Sequence, residues 1–376
     1  MTRRSFSECA LCGSRQTPVS RGVGVCVGCL RERPEPALAI ALGRHRAHRE
    51  AQGLAPSPPR DPGGIRCAFC THGCRIGPGR TGFCGLRRNV GGRLVGGVRR
   101  GNFSWYPDPL PTNCVADWVC PGGTGAGFPQ YAHRPGPEHG YRNLAVFSQV
   151  CCFDCAFCQN GSYRRLTLSP TWHTAEDLAG AVTPATACIC FFGGDPAPQM
   201  PLFLRAARLA RRGRGRAVLR ICWETNGSSH PALLDAALGL SLESGGCVKF
   251  DLKAWTPAVH KALTGADNRR TLENFARAAA RIPERPEPPP VVASTLLVPG
   301  YVDPPEVGAI ASFISGLDPT IPYALLAFAP HLFMADLPTT SRAHALACLE
   351  AARAAGLTRV RLGNEHLLGP PYPVGA

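Results

Sequence analysis

The sequence predicts an α/β fold built on a parallel sheet, and two observations carry the prediction. From Leu144 onward, apolar runs bounded by glycine or polar residues alternate about six times with helix-favouring stretches, and such alternation specifies parallel strands joined by helical crossovers. A chain of 376 residues with 44% hydrophobic content is long enough for one large α/β domain with small appendages. The strands are expected at 144–149, 187–193, 217–227, 247–254, 291–300 and 323–330. Helices fall between them, for example at 200–212 and 271–281, and the arginine-rich run Arg211 to Arg216 reads as a helix end and its turn.

Ahead of this core the cysteines come in groups. Cys9-x2-Cys12 and Cys26-x2-Cys29, with glycines nearby for tight turns, form two knuckles that can close a site of four thiolates. This predicts a zinc-ribbon-like module over 1–35, for which the metal supplies the folding free energy; the alternative is a decayed ribbon without metal. Residues 36–53 have a proline near the start and a glycine at the end, the punctuation of one connecting helix, and APSPPRDPGG cannot continue it. Residues 36–64 are therefore helix and linker, with His45 and His48 expected in solvent. Over 65–143 lies a cysteine-rich leader. Its Cys67, Cys70, Cys74 and Cys84 suffice for zinc or for a second, filled iron–sulfur site. Cys114 and Cys120 join that group, ligate something else or are plain buried thiols. Cys188, Cys190, Cys222, Cys247 and Cys348 fall in strand or helix patterns, where a buried hydrophobic thiol is the default. The core then runs over 144–376.

Composition bounds the setting. Nothing approaches about twenty uninterrupted apolar residues, and the first residues carry no apolar signal-peptide core. Grouped rather than scattered among nineteen, the cysteines read as metal sites in a reducing compartment, so a cytoplasmic protein without membrane partners is expected. A formal charge of +15 invites nucleic-acid binding. Lys249, Lys253 and Lys261 are the only lysines, however, and diffuse arginine without dense basic runs reads as a solvated surface, which leaves nucleic acid a minor alternative.

The chemistry centres on Cys151, Cys155 and Cys158, spaced C-x3-C-x2-C. Three thiolates can hold three irons of a [4Fe-4S] cube and leave the fourth open, whereas electron carriers normally fill all four positions with cysteine. The competing reading is free or zinc-binding thiols, with Cys152 in place of Cys151. Zinc usually takes two pairs of ligands separated by a longer spacer.

This spacing, with the aromatic Phe157 just before the third cysteine, resembles the radical S-adenosylmethionine (SAM) superfamily. The leader CAFCTHGCRIGPGRTGFCG, continuing through GLRRNVGGRL to a cysteine loop ending CQN, is similar to the radical SAM enzymes of the AmmeMemoRadiSam system, relatives of the pyruvate formate-lyase activating enzymes. The similarity runs from about Cys67 to the C-terminus. It implies a partial (β/α)6 TIM-type barrel, an open iron that chelates SAM, and an external one-electron reductant that splits SAM into methionine and a 5'-deoxyadenosyl radical. In such folds ligands gather at the C-terminal ends of strands. There Gly193, Gly194 and Asp195 stand where relatives carry a GGE-type motif for the SAM amino group, with Asp195 one methylene shorter than the commonest residue. Asp251 and Lys253 match a D-x-K that contacts SAM in activating enzymes, and strand alternation points Lys249, Asp251 and Lys253 one way. Thr225 and Asn226 are weaker candidates, since TNG also reads as an ordinary turn.

The resulting expectation is a radical SAM enzyme that abstracts hydrogen from a macromolecular substrate docked through the ribbon. One alternative is a glycyl-radical enzyme activase, disfavoured because the extra cysteines precede the signature loop. Another is a non-enzymatic iron–sulfur or zinc adaptor or electron-transfer protein.

Overall fold

The computed structural model describes residues 7–215 and 217–372. Arg216 and the outermost residues of the first and last expected modules, 1–6 and 373–376, lie outside them. One sheet has nine strands: β1 (Gly101–Pro109), β2 (Arg142–Ser148), β3 (Trp172–His173), β4 (Thr186–Gly193), β5 (Arg220–Thr225), β6 (Val248–Asp251), β7 (Val291–Leu297), β8 (Tyr323–Ala327) and β9 (Val360–Gly363). They lie in the order β9-β8-β7-β6-β5-β4-β2-β1-β3. β2 and β4 to β9 run parallel to one another. β1 runs antiparallel to β2, and β3 antiparallel to β1. The six predicted strands are β2 and β4 to β8, in chain order. The seventh parallel strand and the antiparallel pair are additions. Among the described residues no strand pairing closes the sheet on itself.

Helices connect the parallel strands: α1 (Val27–Glu32) and α2 (Pro34–Ala51) precede the sheet, followed by α3 (Tyr163–Leu168), α4 (Ala175–Gly180), α5 (Met200–Arg214), α6 (Pro231–Ser244), α7 (Pro257–Thr264), α8 (Arg269–Ala279), α9 (Pro304–Leu317) and α10 (Arg342–Ala354). Proline in the first turn opens α5, α6, α7 and α9, where its missing N–H costs nothing. Asp303 caps α9 by accepting from the Glu306 N–H. In α5 the apolar stripe Leu202, Phe203, Ala206, Ala207 and Ala210 is buried while Arg205, Arg208 and Arg212 face solvent, so these arginines are a solvated surface. No helix among the described residues is long and apolar enough to cross a membrane.

Strand parity divides the side chains. Phe191 of β4 stacks on Trp223 of β5 at 4.4 Å between ring centroids, and Phe203 of α5 packs against Phe191 at 4.8 Å. Phe250 of β6 meets Phe275 of α8 at 5.2 Å. These positions form the apolar layer under the helices. The alternate positions, Cys188, Cys190, Arg220, Cys222, Glu224 and Lys249, face a cavity on the other side of the sheet.

The N-terminal module packs into the same core. Val19, Val23 and Val25 are buried in the main apolar cluster. The Tyr301 hydroxyl donates to the Val25 carbonyl at 3.0 Å and accepts from the Ser20 N–H at 3.1 Å. Arg31 bonds Asp303 and, at 3.0 Å, Glu306. His45, expected in solvent, is buried against the cysteine loop, because α2 runs across α7 instead of standing free.

Arg220 and Glu138 form a fully buried, two-toothed ion pair that ties β5 to the segment before β2. Removing one partner strands a buried charge, which costs about 3–5 kcal/mol. Glu138→Gln is expected to lower the melting temperature sharply in a thermal scan at fixed metal content, whereas Glu8→Gln, in the exposed pair with Arg15, leaves it unchanged.

Candidate active site

The parallel strands deliver their C-terminal ends to one rim. The cysteine loop follows β2, Gly193 ends β4, Thr225 ends β5, and Asp251 ends β6. A cavity of about 250 Å³ opens there. Cys151, Cys155, Cys158, Phe157, Gly193, Gly194, Asp195, Thr225, Asn226, Asp251 and Lys253 all line it. Residues a hundred positions apart in the chain are thus brought together by the strand order.

Within the loop, Cys151 rather than Cys152 faces the cavity. The Cys152 sulfur turns back to Ser228 Oγ at 3.0 Å and Asn226 Nδ2 at 3.4 Å. Burial pushes the Cys155 thiol up to about 12 and raises Cys158, while a hydrogen bond to Cys152 and burial raise Cys151. Buried thiols of this kind ionise when a metal replaces the proton. Cys114, outside the loop, also lines the cavity wall, its thiol 3.0 Å from Lys249 Nζ of the same wall. The three loop thiols are a donor set that fits a [4Fe-4S] cluster with one iron free of protein.

Asp154 holds the loop in place. Its buried carboxylate takes His45 Nδ1 at 2.7 Å, Arg49 Nη1 at 3.1 Å and Arg164 Nη1. Burial opposes its charge, yet His45, Arg164 and Arg49 together keep the carboxyl below its usual range. Asp154, Arg49 and Arg164 do not stand out in the sequence, where a lone aspartate inside a cysteine loop gives no periodic signal, and His45 was expected in solvent.

Gly193 and Gly194 are required by packing. A Cβ on Gly194 would lie 2.2 Å from the Val150 carbonyl oxygen, and Gly193, at φ +99°, lies against Phe147 and the Ser148 N–H. The close approach the glycines allow is therefore to the base of the cysteine loop. Asp195 is buried with both oxygens engaged: Oδ2 accepts from the Asn226 N–H at 2.7 Å and Thr225 Oγ1 at 3.1 Å, and Oδ1 from the Ala197 N–H at 2.8 Å. It joins the ends of β4 and β5 internally, and burial raises its pKa well above the usual carboxylate range.

Lys253 pairs with Asp251 and stands 5.3 Å from the Phe157 ring centroid. Burial works against its charge, but Asp251, Cys155 and Cys158 hold its pKa above the ordinary lysine value. Lys249 does not join this pair: its ammonium bonds Glu224 at 2.7 Å, so the expected row of three charges is two separate pairs.

Two further cysteine groups stand apart. In the N-terminal module the Cys9–Cys29 and Cys12–Cys26 sulfurs are each 3.8 Å apart, and all four ligand atoms lie within 4.8 Å of one another. Four thiolates at ~2.3 Å from one tetrahedral ion have edges of ~3.8 Å. Burial opposes ionisation of Cys9, yet the Cys26, Leu11 and Cys12 N–H groups bring its thiol down to about 6. In the leader, Cys67, Cys70, Cys74 and Cys84 line a cavity of about 10 Å³, and the neighbouring Cys152 thiol together with burial raises the Cys70 thiol well above its usual range. The leader reaches the rim through backbone bonds from the Thr71 N–H to the Ser228 carbonyl at 2.8 Å and from the His230 N–H to the Phe69 carbonyl at 2.9 Å.

Residues 145–313, which hold the cysteine loop and most of the parallel strands, match the family model of the Radical SAM superfamily. That superfamily implies SAM, a [4Fe-4S] cluster and a reductant. A relative is the isethionate sulfite-lyase activating enzyme of Desulfovibrio desulfuricans (strain ATCC 27774 / DSM 6949 / MB), 32% identical over 137 residues. The match covers 36% of this chain and spans 40% of the relative's length. Two solved structures are similar. A domain of pyruvate-formate lyase-activating enzyme from Bacteroides vulgatus ATCC 8482 is 20% identical with a TM-score of 0.38, over 46% of this chain and 98% of that one. A radical SAM methyltransferase from Sphaerobacter thermophilus is 19% identical with a TM-score of 0.46, over 60% and 67%.

Asp154→Asn leaves Arg49 and Arg164 buried without their carboxylate, a change of about 3–5 kcal/mol. Faster amide exchange across 150–165 and a lower melting temperature are expected; unchanged exchange there would show that the loop is held by other contacts.

Proposed function

We propose that the chain is a radical SAM enzyme acting on a protein. The observation that carries this reading is the convergence of the three loop thiols, Lys253 and the three strand-end turns on one cavity. When bound, the cluster and SAM supply reductive cleavage of a carbon–sulfur bond, giving methionine and a 5'-deoxyadenosyl radical that removes hydrogen from the substrate. Cys151, Cys155 and Cys158 would hold the cluster and leave one of its irons without a protein ligand, open to SAM. Asp195, Thr225 and Asn226 fix the strand-end turns through their mutual bonds, and the polar groups of these turns, with Asp251, would face the amino-acid part of SAM. Phe157, Leu296 and Leu326 supply apolar wall, and Asn113 to Val115 of the leader cover one side, which helps exclude water.

The Cys9, Cys12, Cys26 and Cys29 set holds zinc in this reading, supported by its tetrahedral edges. The cavity among Cys67, Cys70, Cys74 and Cys84, about 10 Å³, has room for about one water-sized particle and not for a cube, and its sulfurs are not gathered as closely as those of the Cys9 set. The protein substrate is supported by the name of the relative, an enzyme that activates another enzyme. The same relative favours a second reading, a glycyl-radical enzyme activase. The ribbon's burial in the main core makes it a brace for α7 and α9 more than a free docking arm.

Under anaerobic dithionite the reconstituted protein is expected to convert SAM to methionine and 5'-deoxyadenosine, measured by chromatography, and Cys155→Ala to abolish both products. Cleavage that persists in this variant would overturn the assignment. The purified chain should also carry about one zinc at its N-terminal set. Because that module packs into the main core, Cys12→Ser is expected to lose this zinc and lower the melting temperature of the whole chain.

A further inference from the structure

Beneath the rim, the interior of the sheet is lined in an unusual way. Parallel α/β barrels ordinarily fill this space with layers of branched apolar side chains. Here Cys188 and Cys190 of β4, Cys222 of β5 and Cys247 just before β6 face it, and the segment before β2 inserts Cys114 and Cys120 from the opposite side. Six thiols, read from the sequence as unrelated or undecided, line one cavity of about 330 Å³.

Cations accompany them. Lys249 Nζ, buried, lies 3.0 Å from the Cys114 sulfur and 3.1 Å from the Cys190 sulfur, and Arg220 is in the wall. Both cations are already paired, Lys249 with Glu224 and Arg220 with Glu138, so what Lys249 offers the sulfurs is an N–H donor, and hydrogen bonds to sulfur are among the interactions that tune iron–sulfur centres. Size argues against one ion. A water needs ~10–15 Å³ of such space, so a single ion would leave most of this cavity unfilled. Among the described residues, only the Cys9 set has three or more ligand atoms within 4.8 Å of one another. A thiol set spread around a larger space suits a polynuclear centre, and soft thiolates select iron–sulfur clusters over harder ions.

We propose that this cavity binds an additional iron–sulfur cluster, held by Cys114, Cys120, Cys222 and Cys247. These four pack together around Ala116 and Val119, whereas Cys188 packs with Leu110 and Ala187. Cys190 and Lys249 stand beside the cluster. Glu224, Lys249 and Cys114 form a wall common to this cavity and the one at the rim, so the additional centre lies directly under the SAM site. The proposal does not depend on what the Cys151 loop binds.

The test uses the full chain with the other two cysteine groups that could hold iron removed: Cys151→Ala, Cys155→Ala, Cys158→Ala, Cys67→Ser and Cys74→Ser. After anaerobic reconstitution this parent is expected to retain about four irons and four sulfides per chain, with a reducible paramagnetic signal. Adding either Cys114→Ser with Cys120→Ser or Cys222→Ser with Cys247→Ser should remove them. Against misfolding of the parent, the same two pairs are placed singly in the otherwise unaltered chain, where each is expected to lower the iron count by about four and leave the zinc of the Cys9 set unchanged. Iron that survives both pairs, zinc in its place, a Cys222–Cys247 disulfide, or no metal in a folded parent would overturn the proposal.

Discussion

The cysteine loop presents its sulfurs to the rim because much of its backbone is bonded to neighbouring segments. His72 bonds the Cys152 carbonyl, Tyr163 Oη the Phe153 carbonyl at 3.1 Å, Arg164 the Cys155 carbonyl at 3.3 Å and the Phe333 N–H the Ala156 carbonyl at 3.0 Å. On the other side, the Asp154 and Ala156 N–H groups donate to the Thr264 and Leu263 carbonyls at the end of α7. Asp154 joins these contacts to α2 and α3 through its three cationic or polar partners. A loop with no regular structure is thereby held by donors from the leader, α2, α3 and Phe333 and by carbonyl acceptors at the end of α7. Each of those elements is needed for one geometry, which explains why the segments before the sheet pack onto it.

The electrostatic consequence follows from the same residues. Arg49 and Arg164 bring two positive charges to one carboxylate, and Lys253 adds a third cation on the cavity side. A thiolate-bound iron–sulfur cluster carries net negative charge, and burying it is costly without nearby cations or N–H donors. The surplus around the loop is of the sign such a group requires. Below the rim, Lys249 and Arg220 are balanced by Glu224 and Glu138, so the interior is polar without a large uncompensated charge.

Much of the sheet was legible because parallel strands buried on both faces leave long apolar runs, and all six of those runs became consecutive parallel strands. β1 was not, since Pro107 and Pro109 interrupt its pattern, and β9 is four residues long. The site was legible as a set: each residue named from the loop and strand ends lines one cavity. Their individual roles were less so. The sequence gives no hint that Gly194 meets the Val150 carbonyl or that Asp195 spends both oxygens on neighbouring turns, because these contacts join different strands. His45 was misplaced for the same reason, since its partner is over a hundred residues away.

The N-terminal module shows how a metal set can stabilise more than its own segment. A ribbon of this size has little core of its own, yet here its valines are buried with residues of the main core and Tyr301 closes over its backbone. Gly300, at φ +79°, is held against the Pro18 carbonyl, where a Cβ would lie 2.0 Å away. Four thiolates that fix Cys9, Cys12, Cys26 and Cys29 therefore also fix the start of α1, since the Cys26 sulfur accepts from the Cys29 N–H at 3.4 Å. α1 leads directly into α2, and α2 carries His45 and Arg49 to Asp154. A metal at the Cys9 set would thus be coupled, through α1 and α2, to the cysteine loop.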